Sequence, residues 1–113
     1  MYRFDVGGKH YGAKVSYSWG DTLYPVKDAL GEFHIETRIT TVELGEVRGV
    51  RDGKPELDVF ASGIAVLHPG DNFVKAVGRH VAARQALAFA YASESVPQDQ
   101  EFAKAVMALF PKA

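Results

Sequence analysis

The chain is predicted to be an α+β domain: an antiparallel sheet of four to five strands, followed by two C-terminal helices packed on one side. Up to Leu67, apolar residues recur mainly at every second position and are punctuated by Gly-Gly and Asp-Gly pairs. Beyond Asp71 they recur at intervals of three and four. The first period belongs to half-buried strands joined by tight turns, and the second to amphipathic helices. Because all strands precede all helices, the strands pair as hairpins and the helices gather on one face. With 113 residues, 47% of them hydrophobic and 24% charged, the chain can bury one core but not two. A single domain over residues 1–113 is expected.

Tyr2, Phe4 and Val6 alternate with Arg3 and Asp5, and Gly7-Gly8 then offers the positive φ of a tight turn. The returning arm runs from Lys9 to Trp19, with Ala13, Val15, Tyr17 and Trp19 on one face and Lys14, Ser16 and Ser18 on the other. GGKHYG lacks the spacing, lysine and following helix of a phosphate loop, so it reads as a hairpin turn. From Thr22 to Glu32, Pro25 and Gly31 bracket a connection with at most one short helical turn. Phe33, Ile35, Thr37, Ile39 and Thr41 then form a β-branched alternation, whose Phe/Ile set is expected to face inward. Val42 and Leu44 shift the apolar phase by one, which predicts a bulge or bend near Thr41. Arg51-Asp52-Gly53-Lys54 is a strong hairpin signal, and the return arm from Glu56 to Leu67 ends in the apolar run Ile64 to Leu67.

Asp71 or Asn72, after Pro69-Gly70, is expected to cap a helix that reaches Ser93. Gly78, Ala82, Ala86 and Ala90 form a ridge almost without side chains, flanked by Val74, Val77, Val81, Leu87 and Phe89. Such a ridge admits another backbone at close range, either the second helix or a second copy of the chain. Apolar residues extend nearly all round this helix, which favours a two-fold contact and hence a homodimer or higher homo-oligomer. Ser95 and Gln98 stand at capping-box spacing, with Pro97 tolerated in a first turn. The second helix then presents Phe102, Val106 and Leu109, widened by Ala103, Met107 and Phe110, until Pro111 stops it.

Thirteen basic and fourteen acidic side chains nearly cancel, so no global field points to nucleic acid or an anionic membrane. The absence of cysteine removes disulfides, thiolate catalysis and thiolate metal sites. The first residues, MYRFDVGGKH, lack a signal peptide's apolar stretch, which leads to the expectation of a cytoplasmic protein. No run reaches the roughly 18 apolar residues of a membrane helix. His10, His34, His68 and His80 never pair at i,i+3 or i,i+4, and although Asp71 follows His68 by three residues, no second ligand is visible. Neither a metal nor a cofactor is expected. Ser16, Ser18, Ser62 and Ser93 stand outside any nucleophile elbow. Asp5, Glu36, Glu43, Glu46, Glu56 and Asp58 read as a solvated sheet face, and no catalytic residue is assigned.

The cations of the first helix are the best functional lead. Lys75 and Arg79, and likewise His80 and Arg84, lie one turn apart and can converge on one anion. Gly78 thins the helix beside Arg79, while Tyr2, Phe4, Tyr11, Tyr17 and Trp19 are numerous enough to stack a base nearby. Lys14 and Arg38 on the sheet are the next anion-binding candidates.

The run Gly63-Ile64-Ala65-Val66-Leu67-His68-Pro69-Gly70-Asp71-Asn72-Phe73, with Lys75 and then Gly78-Arg79-His80-Val81-Ala82-Ala83-Arg84-Gln85-Ala86-Leu87, carries a pattern. In words it is Gly-x-Ala, Pro-x-Asp-x-Phe, then Gly-Arg and an alanine-rich helix ending in Ala-Leu. Over these residues, under a quarter of the chain, the sequence resembles the first-class anti-Thoeris family of small phage-encoded proteins, sponges for cyclic ADP-ribose signals. The resemblance implies an oligomeric, non-enzymatic protein of the host cytoplasm that holds nucleotide phosphates with helix arginines. It implies Asn72, Phe73, Arg79 and Arg84 as ligand contacts, to which the one-turn pairing adds Lys75 and His80. The pattern places its second arginine one residue after Arg84, at Gln85 here. Three functions stay open: a non-catalytic sponge for a cyclic nucleotide, a phage protein that covers a host enzyme or polymerase with its Asp52-Gly53 hairpin, and a small nucleotide hydrolase.

Overall fold

The computed structural model describes residues 1–21, 26–28, 31–33, 36–68 and 71–112. Four strands, β1 (Tyr2–Val6), β2 (Lys9–Asp21), β5 (Glu36–Arg51) and β6 (Lys54–Val66), form one antiparallel sheet in the order β1-β2-β5-β6. Between β2 and β5 sits a separate two-stranded hairpin, β3 (Val26–Asp28) with β4 (Gly31–Phe33). Helices α1 (Lys75–Ala92) and α2 (Glu101–Leu109) follow. The α+β class, the antiparallel sheet and the two C-terminal helices are therefore as the sequence predicts. Among the described residues no helix is long and apolar enough to cross a membrane.

Both long hairpins turn where the glycines stand. Gly7 and Gly8 have φ of 59° and 79°, and Asp52 and Gly53 have 51° and 76°. Two successive positive φ values define the turn whose twist matches that of the flanking strands, so Val6 pairs with Lys9 and Arg51 with Lys54.

Three expectations along the sheet are corrected. The connection after β2 contains the β3–β4 hairpin in place of a helical turn; its strands are too short for an alternation to register. Thr22 to Pro25, His34 and Ile35 lie outside the described residues. There is no bulge at Thr41: β5 pairs with β2 without a slip from Glu46 to Glu36. Register shifts occur only against β6, between Leu44 and Gly45 and between Val47 and Val50. With no slip, period 2 puts Arg38, Thr40, Val42 and Leu44 on one face, and the burial of Thr40, Val42 and Leu44 identifies it as the core face. Ile39 and Thr41 are consequently on the opposite face and Ile39 is outside the core, while the side chains of Phe33 and Ile35 lie outside those described.

The helices differ from expectation at their starts. Val74, extended at φ −121° and ψ 112°, precedes α1 without any side-chain cap, so neither Asp71 nor Asn72 caps it. Asp71 instead donates its N–H to the His68 carbonyl, 3.0 Å away. Residues 95–98 do not open α2 either. Gln98 donates from Nε2 to the carbonyls of Tyr91 and Val96, and Asp99 accepts the Glu101 N–H. The link is thereby tied to the end of α1 before α2 begins.

The small-residue ridge meets the sheet of its own chain. Ala82, Ala86 and Ala90 are fully buried. A Cβ at Gly63 would overlap the Ala82 carbonyl, and one at Gly78 would meet the Thr40 hydroxyl. Glycine on both sides lets helix and strand approach until their backbones touch. The two-fold contact expected of this ridge is therefore corrected: β5 and β6 already occupy it. At the other end of the core, Phe102 of α2 packs against Phe4, Tyr11 and Phe60 with centroids 4.9–6.0 Å apart. Burying a ring like Phe102 contributes about 1.5–3 kcal/mol, and this cluster anchors α2 on the sheet.

Candidate functional site

Cations and aromatic rings meet where the start of α1 crosses β2 and β5. Trp19 stands directly opposite Arg38 across the two strands, and Tyr17 opposite Thr40, so period 2 aims all four toward the helix. The segment between β6 and α1 brings Phe73 onto them. Its ring meets Tyr17 edge-on, with centroids 6.0 Å apart and planes at 89°. The guanidinium carbon of Arg38 lies 4.6 Å from the Phe73 ring centre and 4.9 Å from that of Trp19. Lys75 holds its ammonium 5.0 Å from the centre of the Tyr17 ring, and Arg79 donates from Nη1 to the Tyr17 hydroxyl at 2.9 Å.

The result is a continuous ribbon: Lys75 and Arg79, then Tyr17, Phe73, Arg38 and Trp19. Among the described side chains, none of its three cations lies in ion-pair range of a carboxylate. The Nε of Arg38 is buried without a hydrogen-bond partner among them. Trp19 is 63% exposed, so one end of the ribbon offers a large ring to solvent. Cations held on ring faces keep their charge while being fixed in place, which suits phosphate or carboxylate binding.

On the β6 side of Phe73 a cleft of about 440 Å³ opens beneath α1. Arg38, Thr40 and Leu67 line its sheet side, Val77 and Val81 its helix side, and Asn72 its loop side. Pro69 and Gly70 lie outside the described residues.

The six residues expected from the sequence divide among three places. Asn72 and Phe73 line the cleft, while Lys75 and Arg79 converge on Tyr17. His80 and Arg84 belong elsewhere, to the groove between α1 and α2. There the His80 ring is hydrogen-bonded through Nδ1 to the Phe110 carbonyl at 2.8 Å and helps hold the end of α2. Gln85, where the family pattern places its second arginine, accepts the Ile64 N–H at 2.6 Å and ties the helix to β6. Lys14 stands opposite Glu43 on the other face of the sheet, away from the ribbon. Among the described residues no group of three or more histidine, aspartate or glutamate side chains could hold a metal ion.

Arg38 is the residue that the helix-centred expectation underrates. Its signal is present but non-local, since it depends on the pairing that sets Arg38 opposite Trp19. Searches of protein-family models, curated proteins and solved structures find nothing that matches the chain.

Proposed function

We propose that this protein binds a small cyclic nucleotide of the cyclic ADP-ribose kind and sequesters it without turning it over, as a phage anti-defence protein in the host cytoplasm. The observation that carries the proposal is the ribbon, in which Lys75, Arg79 and Arg38 alternate with Tyr17, Phe73 and Trp19. A nucleotide presents flat bases and phosphates at similar spacing. Rings stack the first, and the cations bind the second. The resemblance over Gly63 to Leu87 supports the cyclic-nucleotide class, and it meets the ribbon at Phe73, Lys75 and Arg79. A homo-oligomer, which the resemblance also implies, would have to use a surface other than the buried alanine ridge.

A second function is favoured by a separate observation. The tip of the β5–β6 hairpin, residues 48–56, is exposed throughout and projects as an arm that a host enzyme could meet. A thermal-shift screen of the whole chain against cyclic ADP-ribose isomers and cyclic oligonucleotides separates the functions, because a ligand of the native state raises the melting temperature. The expected result is a shift with one of them and recovery of that ligand chemically unchanged. Arg79→Ala should weaken binding roughly ten- to a hundredfold by losing one charge-assisted bond, while Arg3→Ala on β1 leaves it unaltered. Equal binding by wild type and by an Arg38→Ala, Arg79→Ala double variant would remove the ribbon as the site.

A further inference from the structure

Val74, Val77 and Val81 recur along one flank of α1, and each keeps almost half of its surface in water, at 49%, 48% and 47% exposure. Apolar side chains in such a row mark a binding surface more often than an ordinary helix flank. They are half in solvent and half turned to a cleft. They form one wall of the cleft whose other walls are Leu67 and Ala65 of the sheet edge and the Phe73 ring. Its volume of about 440 Å³ falls within the range of small-molecule sites, and the short side chain of Ala65 leaves room on the sheet side.

The polar groups of the cleft define the head of its ligand. Among the described residues Arg38 is its only lysine or arginine, because Lys75 and Arg79 lie on the Tyr17 side of Phe73 and do not line it. Two aromatic rings fix that guanidinium, and its Nε has no partner among the described residues. A planar fork held in this way suits the two oxygens of a carboxylate. His68 and Asp71 also line the cleft, and the Asp71 carboxylate makes it less tolerant of the two charges of a phosphate monoester than of the single charge of a carboxylate.

We infer that the cleft beneath the first turns of α1 binds a small monocarboxylate with an apolar body. Its head lies on Arg38 and its body against Val77, Val81 and Leu67. This site goes beyond the nucleotide function and shares with it only Arg38 and Phe73.

Octanoate, octanamide and octylamine are the probes, titrated into the whole ¹⁵N-labelled chain and followed by amide shifts. Octanoate should perturb the amides of Ala65, Leu67, Val77 and Val81 and bind about tenfold more tightly than the uncharged octanamide, with octylamine the weakest. Arg38→Met should abolish the preference for octanoate over octanamide. Val81→Trp, at an exposed position, should fill the cleft and eliminate the octanoate response while leaving any nucleotide-induced shift of the melting temperature, with Val77→Trp as a second blocking variant. Loss of octanoate binding with nucleotide binding retained thus separates the two sites. Equal affinity for octanoate and octanamide, unchanged octanoate binding in both blocked variants, or a protein partner on these valines that octanoate cannot displace would each overturn the inference.

Discussion

Tyr11 joins the core and the pH response of the protein in one side chain. Its ring lies between Phe4 and Phe102, and burial together with the nearby Glu46 carboxylate raises its pKa above the ordinary value of 10.0. A raised pKa means that the unfolded chain releases this proton at lower pH than the folded one. The corresponding stability is fully present below pH 10.0 and is lost as pH rises through the higher folded value. Tyr11→Phe, which keeps the ring, should therefore flatten the alkaline limb of a stability profile and leave neutral pH almost unaffected. Chemical denaturation in steps from neutral to strongly alkaline pH measures it; an unchanged alkaline slope would show that the hydroxyl is hydrated in the folded state.

The hairpins are legible because their cause is local: Gly7-Gly8 and Asp52-Gly53 adopt positive φ wherever they stand. The inward face of β5 is less so. Ile39 and Thr41 on one phase, and Val42 and Leu44 on the other, are both acceptable to a strand, and only the partner strands and α1 select between them. The start of α1 fails for a similar reason, since residues 71–73 line the cleft and do not cap the helix. The candidate site divides in the same way: Lys75 and Arg79 follow from one-turn helix spacing and Phe73 is implied by the family resemblance, whereas Arg38 enters through cross-strand pairing with Trp19. The helix–strand contact offers a direct measurement. Gly63→Ala places a methyl against the backbone of α1 at Ala82 and Ala86, and neither backbone can rotate away. Overpacking of this kind costs on the order of 1–3 kcal/mol, and denaturant midpoints should fall accordingly, whereas the same substitution at exposed Ser62 should change little.

At the scale of the whole molecule, two packing systems share one sheet face: the aromatic cluster under α2 and the alanine ridge under α1. They differ in tolerance. The cluster has rings that can tilt, while the ridge is backbone against backbone, with Ala82, Ala83, Ala86 and Ala90 all fully buried. Enlarging Ala82 therefore distinguishes a ridge used within the chain from one used between copies. In a two-fold contact Ala82→Leu would split an oligomer into folded monomers. Against Gly63 it has to lift α1 off β6, which also strains the Gln85 bond to the Ile64 amide and moves Phe73, Lys75 and Arg79 relative to Tyr17. The expected outcome is a loss of about 1–3 kcal/mol of stability with no change in the mass measured by light scattering. The ribbon should loosen as well, so that any nucleotide-induced rise in melting temperature shrinks in proportion. A folded, fully stable Ala82→Leu monomer from an oligomeric wild type would instead return the ridge to the surface between subunits.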